Sequence, residues 1–264
     1  MLGKLLKYEM KSTARIFLPL YGCIVVFAAI VRAFMQINTG AGSRLLNILS
    51  GLSVFLYVAI IISTFVITLI VLIQRFYRNL LGDEGYLMHT LPVRTRQQIG
   101  AKLIAASTWV LFAIIVVIIS VLVLVISPQF ISAFGELLTG RLGDMLMKIG
   151  ASDIAVFIEL AIMIFLSLVC GILIIYTSIA VGSLFNKNRI GAAFIAFIAI
   201  NFGLNLLSSC VMLLASSINI FSLIPGGSAA VHIVLACGIC FNILISAAAF
   251  FATNYILKRR LNLQ

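Results

Sequence analysis

Acidic side chains are scarce in this chain. There are seven Asp and Glu among 264 residues, and charged residues of either sign make up only 9%. Soluble domains carry about a quarter charged residues, so a water-facing globular enzyme is excluded. Nucleotide-binding chemistry is missing as well. No GxxxxGK[ST] occurs, so the chain holds no phosphate-cradling P-loop. The two histidines, His89 and His232, stand in no HExxH, which excludes a metalloprotease of that type. The short alternating strands of a membrane barrel are also lacking. Charged pairs in the middle of apolar runs, expected of a proton-coupled transporter, do not occur.

Apolar residues fill the space that charge leaves. The chain is 63% hydrophobic. Its runs of about twenty residues or more are each long enough to cross a hydrocarbon core of about 30 Å. In lipid the backbone must satisfy its own hydrogen bonds, and helices do so. The expected class is an all-α polytopic membrane protein with one transmembrane domain over 1–264. Six spans are predicted near 16–37, 48–74, 103–127, 154–184, 190–214 and 229–257. The first run is too long for a signal peptide and no small-residue cleavage site follows it before Arg32, so it is read as a mature span.

Lys and Arg orient the spans. Fourteen of the 18 lie at the N-terminus, between spans 2 and 3, between spans 4 and 5, and in the tail. Only Arg32, Arg44, Arg141 and Lys148 lie on the other side. The positive-inside rule places both termini and the 75–102 segment in the cytoplasm. The net charge of +11 then falls on the inner face, where it attracts anionic inner-leaflet lipid. Nucleic acid is not an expected partner, because no soluble basic domain exists to carry it. The five cysteines, Cys23, Cys170, Cys210, Cys237 and Cys240, all fall in spans. An odd count inside lipid is no disulfide framework, and the CxxC at Cys237 and Cys240 is read as packing.

Residues 1–15 place Leu2, Leu5, Leu6 and Met10 at helical spacing opposite Lys4, Lys7 and Lys11. This predicts a basic amphipathic helix at the inner interface, with Pro19 at its bend into the first span. Trp109, two turns into the third span, is read as a belt tryptophan. Residues 128–153 are predicted to form an outer amphipathic helix, either covering a substrate exit or serving as a packed lid. Glu159 is the one carboxylate inside an apolar run. It is either a functional group on a path or an interfacial, partly solvated carboxylate. Asn201 and Asn205 share one face of the fifth span. They line a path or bond a neighbouring helix, and the second reading is preferred. Pro225, Gly226 and Gly227 break the chain before the last span.

The longest polar interruption, 75–102, reads RFYRNLLGDEGYLMHTLPVRTRQQIGAK. Gly82 ends one helix. Asp83 is a good N-cap, Glu84 complements the helix dipole, and Pro92 stops the element. A short helix over 83–91, about 13 Å long at 1.5 Å per residue, is predicted. Tyr86, Leu87, Met88 and Leu91 supply its apolar anchors. A second helix is predicted from near Thr95 into the third span. The competing reading is a hairpin that anchors the connection to lipid. Repulsion of Asp83 and Glu84 by an anionic leaflet argues against it, as does the length of the connection.

Three stretches carry a family resemblance: MLGKLLKYEMKSTARIFLPLY, DEGYLMHTLPVRTRQQIGAKL and IAVGSLFNKNRIGA. They resemble bacterial ABC-2-type ABC transporter permeases, and span count and loop placement extend the likeness over the full length. The resemblance implies a transport subunit of the bacterial cytoplasmic membrane rather than an enzyme, with ATP and Mg on a separate ATP-binding subunit and no cofactor on this chain. It assigns ATPase docking to a coupling helix formed here by Asp83, Glu84, Tyr86, Leu87, Met88, His89 and Leu91, closed by Pro92. It implies a second permease, identical or different, and a cargo among lipids, polysaccharides, peptides or drugs. Some members give immunity to antimicrobial peptides. Asn201, Asn205 and Glu159 are the candidates for a substrate path. Two other classes stay open: a non-transporting membrane sensor or assembly subunit, and an intramembrane hydrolase built on Ser228 and His232.

Overall fold

The computed structural model describes residues 2–41, 44–80, 95–126, 150–185, 188–217 and 228–259. Six helices account for nearly all of them: α1 (Leu2–Ala41), α2 (Arg44–Leu80), α3 (Thr95–Val125), α4 (Ala151–Gly182), α5 (Arg189–Ser217) and α6 (Ser228–Arg259). No strand occurs among the described residues. All six are long and apolar enough to cross a membrane. The chain is therefore a multi-pass, all-α membrane protein, as its hydropathy predicts.

Boundaries differ from the predicted spans where helices continue past the apolar core. The amphipathic start and the first span form one helix, α1, with Pro19 inside it. Forty residues make a rod of about 60 Å, twice the thickness of the hydrocarbon core. The basic residues before Arg15 occupy the surplus length. α3 begins at Thr95, where the second helix of the polar stretch was expected. Gly150 starts α4: its N–H donates to Asp153 Oδ2 at 3.0 Å, and Asp153 places a negative charge in the first turn. The predicted outer helix at 128–153 lies outside the described residues up to 149, as does the Pro225–Gly227 break.

The chain divides into two compact units. Unit 1 is Met1–Leu72 with Ile104–Lys148, and unit 2 is Ile73–Leu103 with Ile149–Gln264. In unit 1, α1, α2 and α3 share an aromatic core. Phe17, Tyr21, Val71, Trp109 and Ala113 are buried together. Trp109 is 5% exposed, its Nε1–H donates to Thr13 Oγ1 at 2.9 Å, and Tyr21 donates to the Trp109 carbonyl at 2.8 Å. The belt reading of Trp109 is thereby corrected: its ring ties α1 to α3 in the interior. A second cluster, Ile24, Ala28, Val31 and Tyr57, continues the seam, with Tyr57 Oη 2.6 Å from Ser120 Oγ. Arg32 donates to the Val123 carbonyl, one of the last α3 carbonyls, which lack helical partners.

In unit 2, α4 packs against both α5 and α6. Its second half is almost continuously buried, from Cys170 to Gly182. Thr177 Oγ1 sits 2.8 Å from the Leu173 carbonyl, 3.1 Å from the Ala249 carbonyl and 3.0 Å from Thr253 Oγ1, so α4 and α6 meet through a satisfied hydroxyl pair. Gly182 lets α5 approach: a Cβ there would lie 2.5 Å from Ala193 Cβ. The five cysteines are all free thiols.

Candidate functional site

The predicted docking residues Asp83, Glu84, Tyr86, Leu87, Met88, His89, Leu91 and Pro92 lie outside the described residues. What the structure describes is the stem on either side of them, which belongs to unit 2. The last turns of α2 carry Arg75, Phe76 and Arg78, and Arg78 complements the α2 C-terminus. The first turns of α3 carry Arg96, Gln98, Ile99 and Lys102. Their sequence explains the burial. Ile99 is the apolar residue in a polar turn, and Ala101 keeps the facing side thin. Phe76, Gln98, Ile99, Ala101 and Lys102 are all buried.

Both stems close on one residue of α4. Tyr176 is 2% exposed. Its ring stacks on Phe76 with centroids 4.0 Å apart and planes 12° from parallel. Its hydroxyl points at the Lys102 carbonyl at 3.4 Å, a long bond at the edge of useful geometry. The stack is therefore the stronger element, worth about 0.5–1.5 kcal/mol beyond area burial. Fourteen residues, 81–94, connect the two stems, the first stacked on α4 and the second in long contact with it.

A second polar cluster sits near the opposite end of unit 2. Glu159 of α4 and His232 of α6 meet at 2.9–3.0 Å, both carboxylate oxygens lying within reach of His232 Nδ1. The side chains are 30% and 29% exposed, so the pair is half-sheltered. It is an ion pair when the ring is protonated. With a neutral ring it is a hydrogen bond, donated from Nδ1. Such a bridge explains how an apolar helix tolerates Glu159: its charge has a partner on the next helix. The arrangement orients the imidazole, but among the described residues no hydroxyl bonds Nε2, so no nucleophile–base pair is formed around His232.

Among the described residues, Asn201 and Asn205 bond no neighbouring helix. Asn201 Nδ2 donates to the Phe197 carbonyl and Asn205 Nδ2 to the Asn201 carbonyl, each at 2.8 Å. Both amides are spent on their own helix, and neither meets Glu159. Among the described residues no group of three His, Cys, Asp or Glu stands ready to hold a metal ion. The chain's charge pattern marks the polar stretch, but nothing in the sequence marks Phe76, Tyr176 or the Glu159–His232 pair as partners. Comparison with protein-family profiles, curated proteins and solved structures finds no match to this chain.

Proposed function

We propose that the chain is the membrane-spanning permease subunit of an ATP-driven exporter of the ABC-2 type. In this reading a separate ATP-binding subunit docks on 83–91, and a second permease, identical or different, completes the transporter. The cargo is an amphipathic molecule, lipid-like or peptide. The observation that carries the reading is the stem. A docking segment transmits motion only if it is held by a membrane helix, and here its α2 end is stacked on Tyr176 of α4, while the Lys102 carbonyl at its α3 end lies 3.4 Å from the Tyr176 hydroxyl. Force applied to 81–94 is delivered to α4, and through its packing to α5 and α6. A simple lipid anchor has no need of such a grip. The charge distribution supports the same reading, since the basic ends of the helices lie beside the proposed docking segment.

The test uses the chain co-expressed with its ATP-binding partner and reconstituted. Asp83→Ala, Tyr86→Ala and Leu91→Ala are expected to lower cargo-stimulated ATP hydrolysis at least about tenfold, the loss of roughly one anchoring contact of 1.4 kcal/mol. The complex is expected to weaken in parallel. Wild-type stimulation and assembly in all three variants would overturn the docking assignment. Stable isolation with no ATPase under any condition would instead favour the sensor or assembly reading.

A further inference from the structure

No residue of α5 from 189 to 214 is buried, yet its apolar length carries polar amides. The crossing stretch runs Arg189–Leu214. Asn201 stands at its middle, about 18 Å from Arg189 at 1.5 Å per residue. Asn205 lies one turn further, about 6 Å on. Between Arg189 and Asn201 the sequence IGAAFIAFIAI has no polar side chain. At about 100° per residue, Asn201, Asn205, Ser208, Met212 and Ser216 fall within about 80° of one another. This stripe lies about 100° round the helix from Ala193, Ile200 and Leu204. Those three face α4 and α6: Ala193 abuts Gly182, and Ile200 and Leu204 share a cleft with Ile174 and Phe241. On the stripe, Asn205, Ser208, Met212 and Ser216 are exposed and Asn201 is half-buried.

The bonds these side chains make leave the stripe half-satisfied. Each Asn donates one amide hydrogen to its own helix, and Ser208 and Ser216 donate to the Asn205 and Leu213 carbonyls. Each amide keeps a second N–H and a carbonyl oxygen with two lone pairs. Nothing else among the described residues bonds them. Hydrocarbon cannot meet such groups, so an acyl chain is the wrong neighbour for this face. A water path along α5 would meet the apolar stretch before Asn201, where the stripe stops. What fits is a protein surface with a donor and an acceptor at the same depth. The same helix of a second copy supplies both. Two copies inserted alike run parallel about a twofold axis along the membrane normal, so a residue near that axis meets its own counterpart. Few side chains can bond their own copy. Like charges repel, whereas an amide is donor and acceptor at once. A seam Asn fixes register in coiled coils. Ser208 and Ser216 are small, which lets backbones approach closely, as in other membrane helix pairs.

We propose that α5 is the contact between two copies of this chain, with Asn201 and Asn205 hydrogen-bonded to their counterparts across a parallel twofold seam. This does not rest on the transport reading, since a sensor or scaffold subunit would pair in the same way and the assay contains no ATPase. The test uses the full-length chain with its five cysteines replaced by alanine. A single cysteine can then cross-link only to another copy. Asn201→Cys and Asn205→Cys, each oxidised in membranes, are expected to form a covalent dimer at least about tenfold faster than a chain retaining only Cys210, which lies about 140° round the helix from Asn205. A second measurement keeps the native cysteines, so a misfolded cysteine-free chain does not end the test. In it, Asn201→Leu with Asn205→Leu is expected to weaken self-association in reconstituted bilayers about tenfold. Cross-linking at 201 and 205 no faster than at Cys210 would overturn the proposal. So would undiminished association of the leucine variant, or a wild-type chain that stays monomeric at every protein density. Rapid labelling of Asn205→Cys by a membrane-impermeant thiol reagent would overturn it too, because it would place water on this face.

Discussion

At the residue scale, the chain depends on a few positions where size or polarity is fixed by a neighbour. Gly182 is one. A Cβ there would sit 2.5 Å from Ala193 Cβ and 2.6–2.7 Å from that residue's backbone N and Cα. Backbone cannot yield as a side chain can, so Gly182→Ala requires α5 to shift. The expected cost is about 1–3 kcal/mol, the range for forced overpacking. Gly238→Ala is the internal control, because its new Cβ meets the flexible Met163 side chain, the sulfur at 3.1 Å and Cγ at 3.9 Å. Thermal unfolding in detergent should show a clearly lowered midpoint for the first and a small change for the second. The Glu159–His232 bridge is a second such position. Interhelical polar pairs in membrane proteins average about 0.6 kcal/mol in double-mutant cycles. A cycle of Glu159→Gln and His232→Phe should return a coupling near that value, and independent, additive effects would show that the bridge contributes nothing.

At the element scale, α4 is the helix on which unit 2 is built. Its buried half meets α5 through Gly182, α6 through Thr177 and the 81–94 stems through Tyr176. Removing the Tyr176 ring takes away the stack on Phe76 and leaves a cavity, which costs about 3–5 kcal/mol for a buried aromatic. Tyr176→Phe keeps the stack and loses only the long bond to Lys102. Limited proteolysis reads the difference: Tyr176→Ala should speed cleavage at the basic residues between 75 and 102, and Tyr176→Phe should resemble the wild type. Equal protection in both variants would mean that the stems are held elsewhere. The elements themselves were legible in the sequence. Six apolar runs gave six helices, and Thr95 was found as a helix start because polar residues precede an apolar run there. Their partners were not legible. Trp109 looks like a belt residue until Phe17 and Tyr21 are brought against it from about ninety positions away. Glu159 and His232 are 73 residues apart. Hydropathy reports whether a residue enters the membrane, and the face it turns to its neighbours is set by tertiary packing. Pro19 lies inside α1: a proline removes one backbone donor, and the helix carries on past that loss.

At the scale of the whole molecule, parity constrains the topology more firmly than charge does. If all six helices cross, residues 2 and 259, the 81–94 segment and the 183–188 segment share one side, and 42–43, 127–149 and 218–227 share the other. The first side holds fourteen of the 18 basic residues, so the positive-inside rule would make it the cytoplasmic one. Parity and charge are independent signals, and they assign the same segments together. The two compact units also divide the chain at Leu72 and Leu103, so the stems that flank 81–94 are grouped with α4 to α6 rather than with the spans they extend. A segment reaching a cytoplasmic ATPase would then act first on unit 2. Fusing a reporter that folds only in the cytoplasm and one that is active only outside it tests this at three points. Fusions near 88 and at 264 should both give the cytoplasmic signal, and a fusion near 138 should give the external one. If the 88 and 138 fusions report the same side, α3 does not cross, the six-span arrangement fails, and the proposed docking segment loses its access to the cytoplasm.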